Sequence, residues 1–383
     1  MFFSFSLKNL FFDNNSSHFS KQECVTVALL AFFILCLPLF SLLPHTRATL
    51  ALVILILFLR ALASPKGIDF WRRDRIFFFL YLATILAGVC KRGAAIPSLF
   101  AFFVALAGFL PPLTGISREA FCRAVSFSGI AVGAFALLQH FTGEGLSIWT
   151  DTEQFGVLAR VGSFFGNPNL LGAFSCVSLI LSLDMARKRL RRGGFAVYLL
   201  SFLLSFASLL VSYSRGAWGG ALIGIFFYFF CLFEKKRGGT TKTYALAPFG
   251  TLLSRALSVF SGDSSISYRF SLWRSILSVP FSKLLFGVGE GKTALLSLLS
   301  PYMAAGLEKI EHTHSLFFHV LSAEGLLGLF FFSAFLFTRF RGRSRDFAAL
   351  DGALLSLTVY GIFDDTLYSG QIGVLFWMLA NIN

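Results

Sequence analysis

What most limits the folding of this chain is a succession of long apolar stretches, at about 24–43, 48–64, 76–90, 94–113, 121–141, 168–184, 195–212, 216–233, 243–260, 315–338, 347–363 and 370–383. Most reach the ~17–25 residues that a helix needs to cross a bilayer core, so the pattern predicts an all-α integral membrane protein with about twelve transmembrane helices. Backbone inside hydrocarbon must satisfy its own hydrogen bonds, which leaves only helices or closed barrels. No segment shows the period-2 alternation of a barrel strand. The chain is 56% hydrophobic and 14% charged, with a mean hydropathy of +0.75. A soluble domain is about a quarter charged, so that class is excluded. The first run lacks a small-x-small site after it and reads as a retained helix rather than a leader.

Lysine and arginine set the orientation, because short basic loops stay on the cytoplasmic side. Twelve crossings from a cytoplasmic N-terminus bring Arg187, Lys188, Arg189, Arg191 and Arg192 to that side. Lys235, Lys236, Arg237 and Lys242 follow, then Arg339, Arg341, Arg343 and Arg345, and both termini are then cytoplasmic. The crossing at 243–260 fixes the side on which the later histidines fall; without it they are cytoplasmic. A net charge of +14 is accounted for by a basic face against anionic lipid and needs no nucleic acid. Six cysteines lie in or beside apolar runs without CxxC spacing and read as small buried hydrophobes. Residues 1–383 form a single polytopic domain, and 261–314 is a long outer loop within it, of a length that is commonly functional. In that loop Ile266, Phe270, Trp273 and Leu277 recur at helical spacing and predict an amphipathic helix on the outer membrane face. The Phe286-Gly-Val-Gly-Glu-Gly291 stretch lacks the dinucleotide spacing and reads as a tight turn against a ligand or a helix.

Several connections carry residues suited to an anionic substrate. In Arg160-Val-Gly-Ser-Phe-Phe-Gly-Asn-Pro-Asn169, Asn167 is placed to cap a helix starting at Pro168, leaving N–H groups and a positive dipole end beside Arg160. Arg215 sits between two apolar runs with almost no loop, where a guanidinium either snorkels to the interface or forks onto phosphate oxygens. Arg269 and Arg274, five positions apart on the predicted outer helix, cannot both face one site. Arg269 aligns with Trp273 and is the better candidate, with Arg274 either a surface residue or a headgroup contact. His312 and His314 share a face only if their segment is extended. At the mouth of a membrane helix a neutral histidine is suited to accept a proton. A His-x-His zinc site needs further ligands, and none lies at a familiar spacing. His319 reads as packing within its helix, Glu324 as a buried acceptor or arginine partner, and Asp364 with Asp365 as a second base or a solvated turn.

Four of these blocks together resemble the O-antigen ligase and polymerase family of membrane glycosyltransferases. They are Arg160 through Asn169, Ser214-Arg-Gly-Ala-Trp218, Arg269 with Trp273 and then Phe286-Gly-Val-Gly289, and His312-Thr-His-Ser315 leading to Ala323-Glu-Gly-Leu-Leu-Gly328. They stand in the family's order and cover about 155 to 335. The family has asparagine after the second histidine, where this chain has Ser315. The resemblance implies a GT-C-like bundle in the bacterial inner membrane with its site facing the periplasm. Such an enzyme moves a glycan from a polyprenyl diphosphate carrier to a lipid A-core sugar, another lipid-linked glycan or a protein, without cofactor or essential metal. The expected partners are that donor, the lipid-linked or glycan acceptor, and membrane lipids. His314 is then the base, with Arg215 and Arg269 catalytic, and Arg160, Asn167, His312, Arg274 and Glu324 bind substrate. Arginines in a helical bundle also fit a transporter or flippase of a lipid-linked or anionic solute, which is the competing class.

Overall fold

A computed structural model describes residues 21–63, 75–91, 93–145, 148–151, 158–190, 193–234, 264–303, 310–341, 345–365, 367 and 369–382. The expected crossing at 243–260 and the basic run before it lie outside the described residues. Helices occupy the other apolar runs: α1 (Lys21–Cys36), α2 (Thr46–Leu62), α3 (Ile76–Val89), α4 (Ala95–Leu106), α5 (Leu110–Thr114), α6 (Arg118–Thr142), α7 (Pro168–Arg189), α8 (Phe195–Val211) and α9 (Arg215–Glu234). The long loop adds α10 (Ser264–Leu277), α11 (Phe281–Leu284) and α12 (Lys292–Leu299), and the chain continues through α13 (Leu316–Ala323), α14 (Gly325–Phe340), α15 (Ala348–Tyr360) and α16 (Gly370–Asn381).

Among the described residues, five helical stretches are long and apolar enough to cross a membrane: Gln22–Leu42, Ala95–Thr114, Arg118–Thr142, Pro168–Arg189 and Arg215–Phe233. Shorter apolar helices accompany them at Ile76–Val89, Phe195–Val211, Gly325–Phe340 and Ala348–Tyr360. The chain is therefore a helical, multi-pass membrane protein. One departure from the all-helical expectation is a small antiparallel hairpin, β1 (Ile148–Asp151) with β2 (Leu158–Val161), which pairs Trp149 with Arg160. Its strands are short and lie in a connection where only a local turn could have announced them.

Packing between the helices rests on small residues. Lipid is as apolar as leucine, so membrane helices associate by close backbone approach and by hydrogen bonds between them. Ser205 donates to Ser178 Oγ at 2.8 Å, Ser175 and Ser208 bond at 2.8 Å, and Ser201 donates to the Ser126 carbonyl at 2.7 Å, joining α6, α7 and α8. Between α9 and α15 the approach is closer still. A Cβ on Gly224 would lie 2.5 Å from the Gly352 carbonyl oxygen, and one on Gly352 would lie 2.8 Å from the Gly224 oxygen. A second group of helices closes around Trp377 of α16, whose ring packs against Phe78, Tyr81, Phe332 and Phe335.

The run expected as one helix over 315–338 is broken at Glu324. Gly325 adopts φ 81°, where side chains are strained, and a Cβ there would meet Gly287 N at 2.4 Å. The break frees carbonyls at the end of α13, and the glycine-rich loop supplies partners. Val288 N–H donates to the Ser322 oxygen at 2.9 Å and Gly289 N–H to the Ala323 oxygen at 2.8 Å. The loop's backbone thus approaches a helix, one of the two roles expected for its glycines.

The loop also builds a core of its own, in which Leu272, Ile276, Val279, Leu284, Leu298 and Ile310 are buried together. The predicted amphipathic helix is present as α10, with a second apolar stripe besides the expected one. Leu272 and Ile276 point in, whereas Phe270 and Leu277 are exposed at 52% and 65%. The reason is that α10 packs on α13, so its inner stripe is set by that neighbour rather than by one simple apolar period.

Candidate active site

One end of the bundle collects the start of α7, the start of α9, the end of α15 and the segment before α13. Asn167 caps α7 by accepting the Asn169 N–H at 2.8 Å, and Pro168 stands in the first turn, where its missing donor costs nothing. The start of α9 is pressed on α15, since a Cβ on Gly216 would lie 3.4 Å from the Tyr360 ring and 3.6 Å from Phe363. The segment before α13 is tied to the same place, because Leu316 N–H donates to the Gly361 carbonyl at 2.6 Å.

A chain of polar contacts runs across this end. Arg160 donates to the Ser212 carbonyl at 3.2 Å and to Asn169 Oδ1 at 2.9 Å. The Tyr360 hydroxyl donates its one proton to Asp364 Oδ2 at 2.6 Å and lies 3.2 Å from the Asn169 carbonyl oxygen. Asp365 N–H holds Asp364 Oδ1 at 2.8 Å. The same Oδ1 lies 4.0 Å from His314 Nδ1. Arg160 is thereby connected to His314 through side chains from three separate segments.

His314 has φ 53°, a left-handed conformation that costs a residue other than glycine about 1–2 kcal/mol. Such strain persists only where surroundings impose it. Here Trp273 donates to the Thr313 carbonyl at 2.9 Å and stacks on Phe318 at 5.2 Å, and the Tyr268 ring meets His314 edge-on at 5.9 Å. The His312 and His314 rings lie 4.0 Å apart, and the His314 N–H donates to His312 Nδ1 at 3.3 Å. The two rings are thus brought together by a bend at left-handed His314, neither by a helix nor by an extended segment. Burial, then the His312 charge, pushes the His314 imidazole down; Asp364 opposes this and Arg269 lowers it further, leaving it at about 4. The His314 imidazole is thus neutral at physiological pH.

Arg269 is half-buried on α10, close enough for its charge to act on His314, and its Nε is buried without a hydrogen-bond partner among the described residues. Arg215 is the first residue of α9, at the end where α9 meets Tyr360. Arg274 points away, exposed on the outer side of α10. Glu324 is buried, yet it belongs to a neighbouring group and not to the His314 pair. There His319 Nδ1 lies 2.6 Å from Asp365 Oδ2 and its Nε2 2.8 Å from Glu290 Oε1, with Glu324 in the field of Glu290 and His319. Burial alone would raise the Glu290 carboxyl, but His319 holds it below the usual range.

Sequence reasoning undervalued Asp364, Asp365 and His319. The two aspartates are no solvated turn: they are 8% and 4% exposed and anchor both histidine contacts. Two charged residues ending an apolar run, with no polar stretch to keep them in water, were the available signal. Tyr360 and Asn169 carried none that a single sequence displays.

Helices long enough to span a bilayer, with a half-buried histidine, a carboxylate and arginines gathered at one end, make this a multi-pass membrane protein with a polar site at one end of its bundle. Residues 200–333 match the family model described as O-antigen ligase, and this match supports assigning the chain to the O-antigen ligase family. The matched segment holds Arg215, Arg269, His312, His314 and Glu324, whereas Arg160 and Asp364 meet it only through the fold. No curated protein matches the chain.

Proposed function

We propose that this protein transfers a glycan from a polyprenyl diphosphate carrier to an acceptor hydroxyl at the periplasmic face of the bacterial inner membrane. The observation that carries this reading is the convergence of neutral His314, backed by Asp364, with Arg269 beside it. His314 takes the proton of the acceptor hydroxyl as its oxygen bonds to the anomeric carbon, and the bond from that carbon to the phosphate oxygen breaks. The negative charge left on the diphosphate falls to Arg269, Arg215 and Arg160, fixed donors that stabilise it without reorganising. Asp364 orients the imidazole and balances the charge it gains. One displacement inverts the anomeric centre, and the arginines supply the charge stabilisation that a metal provides elsewhere, so no metal is required. Asn167 and His312 flank this path as substrate contacts, and the acceptor is a lipid A-core sugar or another glycan.

The orientation is supported by the far end of the same bundle. Arg189 and Arg123 share Glu119, and Arg187 with Lys188 holds Asp184, so a basic surface lies opposite the His314 end.

A second reading, movement of a lipid-linked or anionic solute, is favoured by the break between α13 and α14, since interrupted helices mark transport sites. Both are tested with purified protein, a polyprenyl diphosphate donor, candidate acceptors and chelator. Glycan transfer that His314→Ala and Arg215→Ala each abolish supports the transferase. Donor movement across liposomes with no transfer to any acceptor sinks it in favour of transport.

A further inference from the structure

His312, His314 and Asp364 each offer one ligand atom, and these atoms all lie within 4.8 Å of one another. The third ligand, fifty positions along the chain from His314, is brought in by the contact between α13 and the end of α15. Two imidazoles and one carboxylate are the donor set of zinc sites that keep an open position. At Zn–N and Zn–O bonds of about 2.0–2.1 Å, tetrahedral donors stand about 3.3 Å apart, so each side chain need close by only about 1 Å.

Three further features favour a cation here. His314 Nδ1 is buried with no hydrogen-bond partner among the described residues, 4.0 Å from a carboxylate oxygen: too far for a hydrogen bond, but a separation that a shared ion could bridge. Asp364 is oriented from behind by the Tyr360 hydroxyl and the Asp365 N–H, the kind of support that ligating carboxylates have. A small cavity lined by Glu290 and Glu311 adjoins His312, placing carboxylates near one of the three ligands. Two features oppose it: the His314 N–H donates to His312 Nδ1 at 3.3 Å, a bond that His312 must give up or re-form to ligate, and the Arg269 charge acts on His314, so binding is weakened and reversible.

We propose that His312, His314 and Asp364 form an inhibitory site for zinc or a similar divalent transition ion. The inhibitory sense rests on the transferase reading, because an ion on His314 takes the lone pair that would accept the acceptor's proton. Once the ion leaves, the imidazole is again free to act as the base.

The test is a titration of chelator-stripped, detergent-solubilised protein with Co²⁺, followed by the visible absorption of a low-symmetry Co²⁺ centre. The expected result is one Co²⁺ per chain that Zn²⁺ displaces, lost in His312→Gln and in Asp364→Asn, and tightened in Arg269→Gln. No absorption in the wild type, or absorption that persists in both His312→Gln and Asp364→Asn, overturns the site. In the transfer assay, Zn²⁺ at ten times its dissociation constant should leave about one tenth of the wild-type rate, restored by chelator. Stimulation by Zn²⁺ overturns the inhibitory role. Co²⁺ bound by a protein that transfers nothing leaves the site standing and removes the transferase reading instead, so the two failures are distinguishable.

Discussion

His314 shows what a single residue is asked to do. It is held in a strained left-handed conformation, packed under Tyr268 and set before a carboxylate that does not yet touch it. A general base contributes about 10²- to 10⁴-fold, so His314→Ala should lower kcat by that factor with little change in donor binding. Asp364→Asn should lose less, because the imidazole stays in place and only its orientation and counter-charge suffer. The pH profile follows from the depressed imidazole. An ordinary histidine protonates near 6.5, but a base at about 4 stays neutral as the pH falls through that value. In chelator, the transfer rate should therefore stay level down to pH 6.5 and fall only on approaching pH 4. Arg269→Gln removes one cause of the depression and should move that acid limb upward, read on whatever activity remains. An acid limb near 6.5 in the wild type would contradict this account of the base. At this scale the sequence exposed His314, because a titratable residue is costly beside an apolar run and so stands out there, and Arg269, because it aligns with Trp273 on the outer-loop helix. It hid Asp364, whose value depends on Tyr360 and on a histidine fifty positions away.

At the scale of elements, each apolar run outside the undescribed segments appears as a helix, because length and hydropathy alone demand it. Boundaries inside a run were less legible. The break at Glu324 depends on an outside partner: Gly287 and Gly325 pass so closely that neither tolerates a Cβ. Gly325→Ala should cost at least the ~1–2 kcal/mol of a left-handed alanine, with the clash adding to it. A lowered thermal midpoint in detergent is the expected result, and an unchanged midpoint would show that the break is not held this way. The second apolar stripe of α10, which packs on α13, has the same origin. Its exposed Phe270 and its buried Leu272 are both apolar, so composition could not say which side would meet protein.

Across the whole molecule, the polar end that carries His314 is separated from a second buried ion pair that serves structure. Arg339 donates to Asp351 Oδ1 at 2.6 Å and to the carbonyls of Ala380 and Leu379, tying α14 and α15 to the end of α16. Removing one member of such a pair leaves the other buried and unpaired, at a cost of about 3–5 kcal/mol. Arg339→Met should thus unfold at lower temperature while the surviving protein keeps its KM for donor. The double variant with Asp351→Leu should recover much of the loss, and no recovery would mean that the carbonyl contacts matter more than the ion pair. The multi-pass plan was legible from hydropathy; which helices would touch was not, because the glycine and serine seams only acquire meaning once α9 faces α15 and α7 faces α8.

The bonds from Val288 and Gly289 to the Ser322 and Ala323 carbonyls have one more consequence. These two amides lie in a segment without regular structure, yet they complete the last turn of α13 as though they were the next residues of that helix. Their protons should exchange with solvent deuterium as slowly as those of the helix, and release together with them when that unit opens. A stretch that looks like a loop in the chain is, by the clock of its amide protons, part of the helix that follows the histidines.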